Sequence, residues 1–332
     1  MKILVLNAGS SSQKSCLYEL GTDLPDHPPA PLWEGTIDWT ASPDYGLVKI
    51  RAQGHKQEQH LPMSQRQQAI AHLLQTLLHG DTAVLTSLEE INVVGHRVVH
   101  GGQSYNQPTL ITPEVTATIA QLIPLAPNHN PAHLEGIHAI AQLLPTTPQI
   151  AVFDTAFHTS IPAAVALYPI PYEWSEQGIR RYGFHGISHQ YCAQRAAQLL
   201  NRPLESLRLV SCHLGNGCSL TAVQGGRSIN TSMGFTPLEG LMMGTRCGSI
   251  DPAIPLYLMR QHGLSVDEVD TLLNKASGLK GVTGESGDLR LVLAGVSQGN
   301  PRAILAFDMY IQRLVMGIGA MVASLGGIDA LV

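Results

Sequence analysis

Two stretches of this chain repeat one local design. Residues 3–20 run Ile-Leu-Val-Leu-Asn-Ala-Gly-Ser-Ser-Ser-Gln-Lys-Ser-Cys-Leu-Tyr-Glu-Leu, and residues 209–225 run Leu-Val-Ser-Cys-His-Leu-Gly-Asn-Gly-Cys-Ser-Leu-Thr-Ala-Val-Gln-Gly. Each is an apolar strand, a tight turn of Gly, Asn and Ser, and a second strand. Such a turn aims backbone N–H groups and small polar side chains at one point, which suits a phosphate. Two of them about two hundred residues apart predict two related domains that grip one polyphosphate. No Gly-Lys-Ser or Gly-Lys-Thr triplet occurs, so the device is not a Walker A loop. Glycine-containing hairpins are common, and on their own these two would not decide the matter.

A chain of 332 residues has room for two domains, and at 44% apolar and 14% charged it can bury a core in each. The pattern after the first hairpin predicts strands at 33–39 and 46–52, a helix over 64–79, a strand at 91–99, helices near 113–122 and 132–144, and a strand at 150–154. The pattern then restarts. A helix is predicted over 187–200, the second hairpin follows, and helices are predicted at 252–261, 265–276 and 301–324. This order suits α/β architecture, with domains at 1–156 and 157–332. A net charge of −5 argues against broad nucleic-acid or anionic-membrane binding. No run reads as long enough to span a bilayer. Residues 303–323 come closest, interrupted by Asp308 and Arg313. The start shows no signal peptide, and five cysteines without CxxC spacing suit a reduced, cytoplasmic protein.

Further segments carry chemistry. Gly95-His-Arg97-Val-Val-His-Gly-Gly102 ends an apolar strand with a guanidinium suited to two parallel hydrogen bonds with a carboxylate or phosphate. A surface arginine would read the same way. Ala126-Pro-Asn-His-Asn-Pro131 presents His129 on a stiff turn. The His129–His133 spacing does not read as zinc, because Pro131 intervenes and no Glu follows the first His. Asp154 closes a strand, where it could hold Mg²⁺, orient a nucleophile or simply cap a helix. Arg180-Arg-Tyr-Gly-Phe-His185-Gly-Ile-Ser-His189 opens a helix with many donors. Gly244-Thr-Arg246 places a second arginine in a Gly-flanked loop, and Ser286-Gly-Asp288-Leu-Arg290 follows it.

Taken in order, these segments resemble the acetate kinases of the acetate and sugar kinase, heat-shock chaperone and actin superfamily. The resemblance rests on Asn7 to Lys14, Gly95 to Gly102, Phe153 to His158, Arg181 to His189, His213 to Gly217, Met243 to Arg246 and Asp288 to Arg290, which span nearly the whole chain. It implies two duplicated actin-like ATPase (ribonuclease H-like) domains with an ATP cleft between them. It also implies a cytoplasmic homodimer that converts ATP and acetate to ADP and acetyl phosphate with Mg²⁺.

By the same resemblance Asn7 lies at the metal site and Lys14 contacts ATP. Arg97 and Arg246 hold the carboxylate and the transferring phosphoryl group, His185 stabilises the transition state, and Asp154 is the catalytic acidic residue. His213, Leu214, Gly215, Asn216 and Gly217 cradle the ATP phosphates. Asp288, Leu289 and Arg290 border the nucleoside. His129 supports the site, and Val99, Phe184 and Pro237 match the apolar pocket for the acyl methyl group. The N-terminal domain would bind acyl substrate and phosphate, and the C-terminal domain nucleotide and partner subunit. A carboxylate acceptor is already ionised at neutral pH, so Asp154 as a proton acceptor would be idle, and a metal or positioning role is expected.

Three features depart from the family pattern. Asn128 stands where the acyl pocket has Leu, and a buried unpaired amide there would be costly, so either Asn128 turns away or the pocket takes a more polar or differently shaped acid; a propionate or butyrate kinase is the alternative within the family. Cys247-Gly-Ser249 replaces Ser-Gly-Asp after the second arginine. The second domain reads as ending before the Gly-Ile-Gly-Glu-Asn adenosine loop, a later Mg²⁺-binding Glu and a terminal helix. The rival from another class, an actin- or heat-shock chaperone-like ATPase with no acyl substrate, has no use for the Arg97 and Arg246 pair beside an apolar pocket.

Overall fold

The structure is a computed structural model, and it describes all residues except 10, 11, 24, 26, 40, 41, 43, 44, 63–65 and 128. The chain divides into two compact units, Met1–Asp154 and Thr155–Val332.

Unit 1 opens with a five-strand antiparallel meander: β1 (Lys2–Ala8), β2 (Ser12–Glu19), β3 (Trp33–Asp38), β4 (Tyr45–Ala52) and β5 (His55–Pro62). Helix α1 (Arg66–Gln75) follows, then β6 (Ile91–Val98), β7 (Thr109–Leu110), α2 (Pro113–Gln121), α3 (Asn130–Leu143) and β8 (Gln149–Phe153). The sheet runs β5-β4-β3-β2-β1-β6-β8-β7, with β6 parallel to β1 and β8 parallel to β6. Period-two alternation sends Leu4, Leu6, Leu17, Trp33, Ile37, Val48 and Ile50 to one face, where they bury against Ile70, Leu73, Leu74 and Leu77 of α1 and its C-terminal turn and Ile140 of α3. Each such side chain stabilises the unit by roughly 1.5–3 kcal/mol relative to exposure. Trp33 is fully buried, and its Nε1 donates to Thr76 Oγ1 at 3.1 Å, so its one polar atom is satisfied. The alternation leaves Asn7 and Arg97 on the opposite face from that core.

Unit 2 contains α4 (Ala163–Ala166), α5 (Tyr172–Glu176), α6 (Gly186–Leu200), β9 (Arg208–Leu214), β10 (Cys218–Gln224), β11 (Arg227–Thr231), α7 (Ala253–His262), α8 (Val266–Lys275), α9 (Gly278–Thr283), α10 (Leu289–Ser297), α11 (Pro301–Leu325) and β12 (Ala330–Leu331). The sheet runs β11-β10-β9-β12, with β12 parallel to β9. Three antiparallel strands with the next strand added parallel to the first is the same topology as β3-β2-β1-β6 in unit 1. The fold is therefore a duplicated α/β one.

Strand β10 is buried along its length except Gln224, because helices cover both sides of the sheet. Small residues Ala193, Ala196 and Ala197 let α6 close on Leu209 and Val223. On the other side α11 packs on β10. A Cβ at Gly317 would come within 2.7 Å of Leu220, so glycine permits that approach. The expectation that no segment is long enough to span a bilayer is corrected here. The 25-residue α11 passes by length and composition alone, since helix continues through Asp308 and Arg313. It is an outer layer of this unit, packed on α9, α10 and the sheet.

Candidate active site

In unit 1, β1 and β6 lie side by side and β8 follows, which gathers Asn7, Arg97 and Asp154 on one sheet face. The Arg97 Nε donates to both Asp154 carboxylate oxygens at 3.1 and 3.2 Å, and Nη2 donates to Oδ2 at 2.5 Å. Nη1 donates to Asn7 Oδ1 at 3.0 Å. Asp154 is buried, and its backbone N–H donates to Val98 O at 2.9 Å, which fixes the strand end. Burial opposes the charge on Arg97, but the Asp154 carboxylate outweighs it and lifts the guanidinium above its ordinary pKa. Lys14 sits opposite Asn7 in the β1–β2 register and is exposed on that same face. Val99 is buried just past β6, and His129 is half-buried at the start of α3. Asn128 lies outside the described residues.

In unit 2 the turn between β9 and β10 is Gly215-Asn216-Gly217, with His213 and the exposed Leu214 leading in. A Cβ at Gly217 would meet Arg246 Nη1 at 3.4 Å and His185 Cε1 at 3.6 Å, so these two side chains close on the turn. The His185 ring stacks on His213 with centroids 4.1 Å apart. His185 holds a left-handed backbone, φ 59°, at the N-terminus of α6. Non-glycine residues adopt this only when surroundings enforce it, as at functional sites. Here His158 helps: its Nε2 donates to the carbonyl of Phe184, the buried residue just before.

Arg246 is half-buried and has no carboxylate within ion-pair distance among the described residues. Its partners among the described residues are neutral: Nη1 donates to Pro237 O at 3.0 Å and approaches Met243 Sδ at 3.6 Å. Burial pulls its pKa down, with Cys218 opposing. The loop that supplies Pro237 is braced by Arg181. One of its nitrogens donates to the carbonyls of Thr231, Ser232 and Met233, and the other pairs with Glu239, to which Tyr168 also donates. Asp288 caps α10 by accepting from the Arg290 N–H at 2.9 Å, and the exposed Arg290 side chain folds back onto it. Leu289 starts that helix. The segment is not remote from the turn: Gly287 packs on Gly244, whose missing Cβ leaves room for Asn216.

The structure thus brings Asn7, Arg97 and Asp154 together in unit 1, and His185, His213, Asn216, Gly217, Pro237 and Arg246 together in unit 2. Sequence reasoning assigned no role to Ser188, Ser211, Ser219 or His189. Yet His213 Nδ1 bonds Ser188 Oγ at 2.9 Å, and His189 lies between Ser211 and Ser219. Their signal in the sequence is weak, since serine and histidine at strand and helix positions are unremarkable individually. Among the described residues no three His, Cys, Asp or Glu side chains converge as a metal cage.

The Acetokinase family pattern matches residues 2–332. The chain belongs to the acetokinase family. An acetate kinase of Microcystis aeruginosa is 64% identical over 332 residues, covering 100% of this chain and 82% of that relative. One from Gloeobacter violaceus is 61% identical with the same coverage. Among solved structures, the acetate kinase of Porphyromonas gingivalis superimposes with a TM-score of 0.89 at 41% identity, covering 99% of this chain and 82% of that one. A propionate kinase from Francisella tularensis gives 0.90 at 41% with the same coverage. This likeness identifies the duplicated actin-like ATPase fold of the acetokinases.

Proposed function

We propose that this acetokinase transfers the γ-phosphoryl group of ATP to acetate, reversibly, giving ADP and acetyl phosphate. The observation that carries the reading is the half-buried Arg246, which has no carboxylate partner among the described residues and closes on a Gly-Asn-Gly turn beside His185. A half-buried cation without a counter-charge is partly desolvated at a cost, and an anionic ligand relieves that cost. The turn N–H groups, Asn216 and Arg246 suit a polyphosphate and the charge that develops on the transferring group. In the reaction a carboxylate oxygen forms a bond to the γ-phosphorus as the bridging bond to the β-phosphate breaks. No proton moves, so no general base is needed.

Arg97 fits the acceptor carboxylate in a specific way. Asp154 occupies the Nε and Nη2 side of the guanidinium and Asn7 takes one Nη1 hydrogen, so three of five N–H donors are used. The remaining pair can meet a carboxylate while Asp154 holds the fork still. Asp154 is then a positioning residue. The oxygen donors Asn7 and Asp154 also fit Mg²⁺ carried on ATP, because that ion commonly takes one or two protein oxygens with phosphate and water filling the rest. When bound, Mg²⁺ would neutralise phosphate charge.

On this reading unit 1 receives the acyl substrate and unit 2 the nucleotide, with Lys14, His213, Leu214 and residues 288–290 along the ATP and His129, Val99, Phe184 and Pro237 near the acyl group. Exposed apolar side chains on α7 and α11, including Tyr257, Leu305, Val315 and Met316, support a homodimer. Five free thiols accord with a cytoplasmic setting. The likeness to a propionate kinase supports a longer acid as the second reading.

Trapping acyl phosphate with hydroxylamine, using Mg-ATP and acetate, propionate or butyrate, separates the readings. Arg97→Ala is expected to raise the KM for the acid, and Arg246→Ala to lower kcat, each by about two orders of magnitude in kcat/KM, or about 3 kcal/mol. Near-normal turnover in both variants would refute the assignment.

A further inference from the structure

Four side chains that face one another between α6 and the β9–β10 hairpin form a continuous hydrogen-bond chain. Ser211 Oγ lies 2.9 Å from His189 Nδ1, His189 Nε2 lies 2.7 Å from Ser219 Oγ, and Ser219 Oγ lies 2.8 Å from His185 Nδ1. Ser211, His189 and Ser219 are all buried to within 2% of completely. Burial, and then the neighbouring His158 and His213, push the His189 pKa well below its ordinary value, so its ring is neutral with one N–H.

A neutral ring between two hydroxyls permits two directions for the protons. In the first, Ser211 O–H donates to His189 Nδ1, His189 Nε2–H donates to Ser219, and Ser219 O–H donates to His185 Nδ1. Every proton in the chain then has an acceptor. In the reverse direction His189 Nδ1–H would donate to Ser211. The Ser211 hydroxyl proton would then be buried with no acceptor, because His189 is its one side-chain partner among the described residues. An unused buried donor costs more than an unused lone pair, so the first direction prevails. A doubly protonated His185 is disfavoured for the same reason. Ser219 would receive N–H groups from both rings, and its own proton would be left without an acceptor.

We propose that Ser219 is a positioning residue for phosphoryl transfer: its hydroxyl holds His185 in the tautomer that carries its proton on Nε2, at the end of a chain that starts at Ser211. The inference rests on the placement of His185 at the transferring phosphoryl group. It adds which ring nitrogen is the donor there and what sets it. A donor fixed beforehand needs no reorganisation as charge develops, whereas a ring that exchanges tautomers offers a lone pair part of the time. The left-handed backbone at His185 and the His213 ring stacked on it hold the imidazole plane. The serine chain selects the proton position within that plane.

The test uses the full chain with ¹⁵N-labelled histidine, without ligand and near neutral pH. Long-range ¹H–¹⁵N spectra report the tautomer, and His185→Gln identifies the His185 signals by their loss. The parent is expected to show the Nε2–H form of His185. Ser219→Ala is expected to give mixed tautomers, and Ser219→Thr, which keeps a hydroxyl, to restore the parent form. Ser219→Cys, close in volume and a weak donor, serves where alanine or threonine disturbs folding. In steady-state kinetics Ser219→Ala should lower kcat about a hundredfold, with the KM values for acetate and ATP within about twofold. A parent His185 in the Nδ1–H or imidazolium form overturns the proposal, as does an unchanged tautomer in Ser219→Ala. Loss of turnover in His185→Gln without loss in Ser219→Ala overturns the role of Ser219 alone. Full turnover in both overturns the placement of His185 at the phosphoryl group.

Discussion

Unit 1 buries three neutral histidines, and they should make the chain acid-sensitive well above the carboxylate range. Burial dominates in each. His96 is pushed down to about 4 despite its bond to Gln149, and His100 to about 4. His133 falls to about 3, with Arg97, His129 and His96 adding to the effect of burial. These folded-state values lie below the unfolded value near 6.5. Above about pH 6.5 neither state binds the proton, and the stability contribution is complete. As the pH falls the unfolded chain takes up protons that the native state refuses, so stability drains until the folded values are passed. At about pH 5, linkage gives a loss of about 2 kcal/mol for each of the three groups. Their sum, about 6 kcal/mol if additive, is comparable with the whole stability of an ordinary domain. The perturbation that isolates one contribution is His133→Leu. Both ring nitrogens of His133 are buried without a hydrogen-bond partner among the described residues, so leucine removes a titrating group and breaks no pairing. Urea unfolding followed by circular dichroism near pH 7.5 and pH 5 should show the parent losing several kcal/mol, and the variant losing about 2 kcal/mol less. Identical pH dependence in parent and variant would refute the reasoning.

The remaining predictions concern the substrate sites. Gly244→Ala would place a methyl group 2.2 Å from Asn216 Oδ1 and 3.0 Å from the Gly287 carbonyl, which forces Asn216 from its place on the turn. Calorimetry should then show ATP binding weakened about tenfold or more, and unchanged affinity would exclude Asn216 from the phosphate site. Asn128→Leu should raise kcat/KM for propionate relative to acetate by roughly 10- to 200-fold at most, the range for one apolar group in a pocket. An unchanged ratio would mean that residue 128 does not face the acyl group.

Both hairpins were legible because each opens on an apolar strand and each turn is made of Gly, Asn and Ser. The long helices were legible because their apolar residues recur at helical spacing. Strand β5 was not: His-Lys-Gln-Glu-Gln-His carries almost no apolar signal, since it is an exposed edge held by backbone pairing with β4. Helices α9 and α10 are six and nine residues long, too short for a period to stand out, and β7 has two residues. The Arg97–Asp154 pairing spans 57 residues, and His185–Ser219 spans 34. No local pattern reports contacts of that range. Family order across segments could point to Arg97, Asp154 and His185 as candidates, but only coordinates reveal that Asp154 occupies the arginine and that a serine addresses the histidine.

The duplicated topology is put to opposite electrostatic use in the two units, and this suits the two halves of the proposed reaction. In unit 1 the Arg97 charge is matched by Asp154 and its fork is fixed by four short contacts. A matched guanidinium attracts an anion only moderately but orients it well. That is what an acceptor needs, since a carboxylate gripped too tightly in the ground state gains nothing in the transition state. In unit 2 Arg246 has no matching carboxylate among the described residues, and the neighbouring imidazoles His185, His189 and His213 offer no negative charge either. That region of unit 2 is short of anionic charge and would attract the phosphoryl group most when its equatorial oxygens bear the most charge. Supplying a carboxylate near Arg246 should therefore be more damaging than removing a neutral neighbour of similar size. Ser249, three residues past Arg246, accepts from the Gly240 N–H at 3.1 Å through its hydroxyl. The loop that follows Arg246 is thus tied by a neutral hydrogen bond, which adds no negative charge to this part of unit 2.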